Sequence, residues 1–234
     1  ELVRNLDGNI ADTLVRVPGV TSTYFGPASG RPILRGLGAE RVRFLINGLG
    51  GLDASASSPD HAVTAEALGA RGVEVLRGPA AIAYGGNAVG GVVNILDGRV
   101  PTTPVGGAFD GFVYLGGETV NDGTQIAGRV AGDVGPVVLQ ADYVRRDADG
   151  FEIPGFAESA AERAEHGHGD DHDDDHGDHG DDHDDHGHDE EEPEFGSVEG
   201  GFYTFESASL GASIVEDWGF FGLSVKDTDA EYGL

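Results

Sequence analysis

The sequence predicts a small α+β domain followed by antiparallel transmembrane β-barrel strands, an incomplete barrel whose other strands lie outside this chain. Three observations predict it. Residues 1–100 mix short helical and extended apolar stretches punctuated by glycine. From residue 108 the apolar pattern turns to period two, in runs of about ten residues, the length of a strand that crosses an outer membrane. Five such runs cannot close around a folded domain, because barrels that hold one have about 22 strands. Residues 1–100 and 101–234 are therefore expected to be separate domains.

In the first domain, Ile10, Leu14 and Val17 share one helical face, and Pro18-Gly19 ends the helix predicted over 9–17. Short extended stretches are expected at 20–25, 32–34, 42–46, 73–76 and 91–95. Val42–Ile46 runs into Asn47-Gly48, a strong hairpin signal. Gly78-Pro79 opens a short helix that Gly85-Gly86 closes. The glycine patterns are not phosphate cradles. Gly85–Gly91 lacks the Lys-Ser/Thr of a P-loop, and Gly36-Leu37-Gly38 lacks the third glycine of a dinucleotide fingerprint.

In the second domain, strands are expected over 108–117, 124–134, 137–147, 203–215 and 219–228. Val137, Leu139, Ala141 and Tyr143 alternate with Gln140, Asp142 and Arg146, and Leu210, Ala212 and Ile214 alternate with Ser209 and Ser213. A soluble antiparallel sandwich would give a similar pattern. The connections alternate: Gly135-Pro136 and 216–218 are tight, whereas residues 148–202 form a long loop. Barrels keep their turns short on the periplasmic side and their loops long outside, so the long loop is expected on the cell surface. The chain starts at Glu1 without an initiator Met and stops at Leu234 within strand-like sequence. It reads as a piece of a longer protein.

That loop holds the most unusual stretch. From Glu165 to Glu194 there are 11 Asp, 5 Glu and no Lys or Arg, within a chain of net charge −28. A field this negative argues against nucleic acid and draws cations. Eight of the nine histidines lie here: His166, His168, His172, His176, His179, His183, His186 and His188. Without cysteine, any metal chemistry must use imidazole and carboxylate, a donor set that suits Zn²⁺ first, with Ni²⁺ and Cu²⁺ close behind. His172 to His186 are spaced four, three, four and three, one face if helical. Interleaved Gly and Asp oppose a stable helix before metal neutralises the charge. A solvated acidic loop would account for the carboxylates but not for eight interleaved histidines. The ninth, His61, follows Asp60 in Ser58-Pro59-Asp60-His61. Helix capping by Ser58 with Asp60 in the first turn explains the carboxylate. It leaves His61 unexplained, and a metal site using both residues is compatible with it. The histidines crowd one segment instead of converging from a scaffold, and no nucleophile–base set is visible, so no enzyme is expected.

Arg31-Pro32-Ile33-Leu34-Arg35-Gly36 and Arg41–Gly48 resemble paired motifs of the plug domain of TonB-dependent outer-membrane receptors. So do Val73–Pro79 and the stretch from Tyr84-Gly85 to Ala88–Ile95, and Val17-Pro18-Gly19-Val20 fits the family's opening helix-to-strand step. The departure is Asn47, where Asp is more usual. The resemblance implies a receptor in the bacterial outer membrane, bathed in its lipid and driven by TonB and its inner-membrane energising complex through a coupling box upstream of residue 1. Asp60-His61 resembles the plug loop of the zinc-uptake branch, in which an adjacent Asp-His pair contributes to a buried site. The expected function is zinc uptake, with Zn²⁺ as cargo. The alternatives are nickel or copper, a chelate such as a siderophore, haem or cobalamin, or a surface protein that buffers metal without transport.

Overall fold

The computed structural model describes residues 9–24, 29–50, 61, 63, 67–156, 159–161, 163 and 195–233. They fall into two compact units, one of Glu1–Asp149 with Gly200–Leu234, the other of Gly150–Glu199.

Helix α1 (Ile10–Leu14) starts at Asn9, whose side chain accepts from the Asp12 N–H at 3.0 Å. It is shorter than the 9–17 expected. Pro18 disfavours a helical residue before it, and the chain leaves through tight turns in which the N–H of Val17 donates to Leu14 and that of Val20 to Val17. Strands β1 (Val20–Ser22) and β2 (Pro32–Leu34) pair antiparallel. A four-stranded sheet follows from β3 (Val42–Ile46), β4 (Leu49–Gly50), β5 (Gly72–Leu76) and β6 (Gly91–Leu96), in the order β4-β3-β6-β5. The β3–β6 pair is parallel. That accounts for the unbroken run Val92-Val93-Asn94-Ile95, because a central strand is covered on both faces. One face packs on Ile10, Leu14, Val20 and Leu34, the other on Ala81 and Ala88. The helix expected after Gly78-Pro79 is a 3-10 segment, Gly78–Tyr84.

The β3–β4 turn explains Asn47. Asn47 and Gly48 both adopt left-handed backbone (φ 52° and 80°), the conformation a two-residue I′ turn requires. The Asn47 amide donates to Asp97 Oδ1 at 2.6 Å, and its oxygen accepts the Asp97 N–H at 3.2 Å. An aspartate at 47 would lose the donor and face a second carboxylate. Asn47→Asp is expected to destabilise the domain by about 1 kcal/mol, the lower end for a lost hydrogen bond because this one is exposed. Thermal unfolding at neutral pH checks this.

The strands after residue 100 begin with β7 (Asp110–Gly117), β8 (Thr124–Val134) and β9 (Val137–Ala148). Strands β10 (Phe151–Phe156) and β11 (Phe195–Val198) then pair with each other. Both lie within residues 148–202, where the sequence pattern predicts loop. They belong to the second compact unit, where Phe156 meets Phe195 edge-on at 4.8 Å and the Arg163 guanidinium lies 3.7 Å from the Phe156 ring centre. Pro154 within β10 fits an edge strand. Strands β12 (Tyr203–Glu216) and β13 (Gly219–Tyr232) complete an antiparallel sheet ordered β13-β12-β9-β8-β7.

The sheet has two unlike faces. Val113, Leu115, Val130, Leu139, Leu210, Leu223 and Val225 point away from the first domain, and Val113 is 78% exposed. A contiguous apolar surface of this kind needs a non-aqueous neighbour. From Val134 to Ile126 it extends about 27 Å along β8 at 3.4 Å per residue, or about 19–22 Å along a barrel axis at a strand tilt of about 35–45°, close to the roughly 25 Å apolar band of an outer-membrane barrel. The opposite face buries Ala127, Val144 and Phe205 against Leu68 of the first domain.

Candidate metal centre

The inner face of the sheet grips the first domain at the segment joining the two. Arg129 of β8 donates to the carbonyls of Asp97 (3.0 Å) and Gly69, and Gln140 of β9 donates to that of Gly98 (2.8 Å). On β12, Ser213 donates to the Pro101 carbonyl at 2.5 Å. A Cβ built on Gly211 would lie 1.7 Å from the Arg99 carbonyl oxygen, and one on Gly222 of β13 would lie 2.6 Å from Val100. Residues 97–101 thus cross β8, β9, β12 and β13 in turn, each strand supplying a donor or a missing side chain. Asp142 ties the layer together, accepting from Arg129 (2.5 Å), Gln140 (2.9 Å) and Ser209 (3.1 Å). Sequence reading missed this layer. Its signal was the inward series Ser207, Ser209, Gly211, Ser213, where small residues on one strand face mark a close-approaching backbone.

Of the expected metal ligands, the structure places His61. Its ring is half-buried, and Nδ1 lies 3.2 Å from the Tyr232 hydroxyl at the end of β13. Asp60 and His166, His168, His172, His176, His179, His183, His186 and His188 lie outside the described residues. Among the described residues, no three His, Asp or Glu side chains gather closely enough to hold a metal ion. Tyr232 pairs across β12 with Tyr203, and Tyr203 pairs on its other side with Ala148 of β9. Neighbouring strands are about 4.8 Å apart. His61 therefore contacts the same row of the sheet from which the chain departs toward the histidine tract and to which it returns. The surroundings are aromatic and cationic, with Tyr232 packed on the cluster that holds Tyr203 and Phe205, and the Arg146 guanidinium 5.9 Å from the Tyr203 ring centre.

Residues 1–92 match the model of the TonB-dependent Receptor Plug Domain. The chain is 34% identical over 115 residues to the vitamin B12 transporter BtuB of Photobacterium profundum, a match covering 47% of this chain and 19% of that protein. It is 33% identical over 175 residues to the probable TonB-dependent siderophore receptor PirA of Acinetobacter baumannii, covering 64% of this chain and 22% of that protein. The chain thus spans about a fifth of the curated relatives it matches. Among solved structures it is similar to the copper transporter OprC, with a TM-score of 0.66 at 17% identity over 96% of this chain and 28% of that one. That likeness shows the fold, a plug-like domain followed by antiparallel barrel strands.

Proposed function

We propose that this chain, the plug domain and first barrel strands of a TonB-dependent outer-membrane receptor, belongs to a protein that takes up zinc ions. The histidine tract captures and concentrates Zn²⁺ at the cell surface, and a plug site using Asp60 and His61 receives it. TonB and its inner-membrane complex then move the plug so that the ion passes to the periplasm. The observation that carries this reading is the position of His61 against the row of Tyr232, Tyr203 and Ala148, beside both roots of the histidine-bearing segment. Capture and transfer would then be neighbouring steps. Tract binding should be multi-site and individually modest, since only Gly and Asp lie between the histidines, residue types that build no packed shell around an imidazole. It should also weaken as pH falls through about 6.5, where unperturbed imidazoles protonate.

The test uses the complete receptor as intact protein, with residues 166–188 deleted, and with Asp60→Ala and His61→Ala combined. Each is titrated with Zn²⁺, Ni²⁺ and Cu²⁺, and uptake is followed in metal-starved cells. The deletion should remove several weak sites, and the double substitution one tight site together with zinc uptake. Unchanged zinc uptake in both would instead favour a chelate as cargo, a reading that the names of the curated relatives also support.

A further inference from the structure

We infer that Tyr232 is the positioning residue for His61. It would hold the imidazole so that Nε2 is the nitrogen offered to metal. The inference rests on the reading of His61 as a zinc ligand and adds a residue to it. A ligating imidazole can bind through either nitrogen, and the partner of the other decides which. Here the engaged nitrogen is Nδ1, 3.2 Å from the Tyr232 hydroxyl, and among the described residues Nε2 has no partner.

Metal needs the Nε2 lone pair, so the ring proton sits on Nδ1 and Nδ1–H donates to the Tyr232 oxygen. The opposite arrangement, with the hydroxyl donating to Nδ1, leaves a proton on Nε2 and blocks it. Zinc binding therefore selects the first arrangement, with Tyr232 as acceptor. Tyr232 suits the task because it is fixed at three levels. Its backbone is the end of a fourteen-residue strand paired along its length with β12. The Gly233 N–H beyond it donates to the Phe202 carbonyl at 3.0 Å. Its ring packs on the cluster of Leu68, Tyr203 and Phe205. A rigid phenol on the barrel thus aims an imidazole that belongs to the plug.

The experiment compares full-length receptors lacking residues 166–188, so that His61 is the only histidine left in this part of the protein. The variants are otherwise unchanged, Tyr232→Phe and His61→Ala. Zinc affinity at the tight site is measured by competition with a chelating dye, and the imidazole tautomer is read from ¹⁵N shifts of histidine-labelled protein. The His61 signals are assigned by their loss in His61→Ala. Tyr232→Phe keeps the ring and its packing and removes only the hydroxyl. It is expected to weaken zinc 10- to 100-fold, the usual cost of losing such a partner, and to shift the Nδ1–H signal of the zinc-bound ring, which loses its acceptor. Wild-type affinity and Nδ1–H signal in Tyr232→Phe, with the site lost in His61→Ala, would overturn the role of Tyr232 alone. A tight site that survives His61→Ala would overturn the zinc reading of His61 and this inference with it.

Discussion

Alanine at position 211 is expected to loosen the plug at its root. A single added methyl on Gly211 has its carbon 1.7 Å from the Arg99 carbonyl oxygen. That oxygen is backbone, flanked by the Gly98 and Pro101 carbonyls that Gln140 and Ser213 hold, so no flexible side chain can swing away to relieve the overlap. Either residues 97–101 lift off the sheet and both hydrogen bonds break, or β12 bows outward. Overpacking costs about 1–3 kcal/mol where a side chain can adjust, and two donors left without acceptors add about 1 kcal/mol each. The expected loss is therefore about 3–5 kcal/mol for the plug–barrel contact. In the full receptor, the Arg99–Val100 bond should become a trypsin site, and the outer membrane should admit a bulky hydrophilic antibiotic. Ala212→Val, one residue along and on the outward face, should do neither. Equal protease resistance in Gly211→Ala and wild type would mean that the segment is not seated there.

How much of this was legible in the sequence differs between strand and site. The strands were read nearly to the residue because alternation is local. One face of each strand is apolar and exposed and the other packs on the plug, so every second side chain reports the environment. The reading ended β13 at residue 228, four residues early. Beyond Val225 the outward positions are Asp227, Asp229 and Glu231, and the strand continues to Tyr232. There the outward face has passed above the apolar band, so alternation no longer marks a strand that cross-strand bonding to β12 still extends. The β10–β11 pair was missed because its partners are about forty residues apart and short, with no local signal to join them. The donors to residues 97–101 were hidden for a related reason. Arg129, Gln140 and Ser213 read as ordinary inward polar residues, and only the fold shows that a single peptide segment lies across all of them. The metal ligands stand between these cases. Composition alone singled out the histidines, and register alone supplied Tyr232 as the neighbour of His61.

Replacing Arg129 with methionine should weaken the plug–barrel layer by removing partners, where Gly211→Ala weakens it by overlap. Its guanidinium makes a 2.5 Å pair with Asp142, donates to the carbonyls of Asp97 and Gly69, and lies 5.5 Å from the Phe112 ring centre. The Arg129 side chain is 9% exposed and that of Asp142 17%. Removing one partner of a buried pair typically costs about 3–5 kcal/mol, because the other charge remains without its counter-ion. The lower end, about 3 kcal/mol, applies here because Asp142 keeps the donors Gln140 and Ser209 and some contact with solvent. A second substitution separates the causes. Asp142→Asn in the Arg129→Met background removes the stranded charge while leaving an acceptor for Gln140 and Ser209, so it should restore part of the loss. It cannot restore donors to Asp97 and Gly69, so plug seating should remain weakened. A double-mutant cycle on denaturant unfolding, read beside trypsin cleavage at Arg99, distinguishes the two contributions. Full recovery of both readouts in the double variant would assign the whole effect to the ion pair. Recovery of stability alone would assign the seating of the plug to the carbonyl bonds. Since one of those bonds ends on Asp97 in the segment that roots the plug and the other on Gly69 within the plug, Arg129 then couples barrel stability to plug retention through a single side chain.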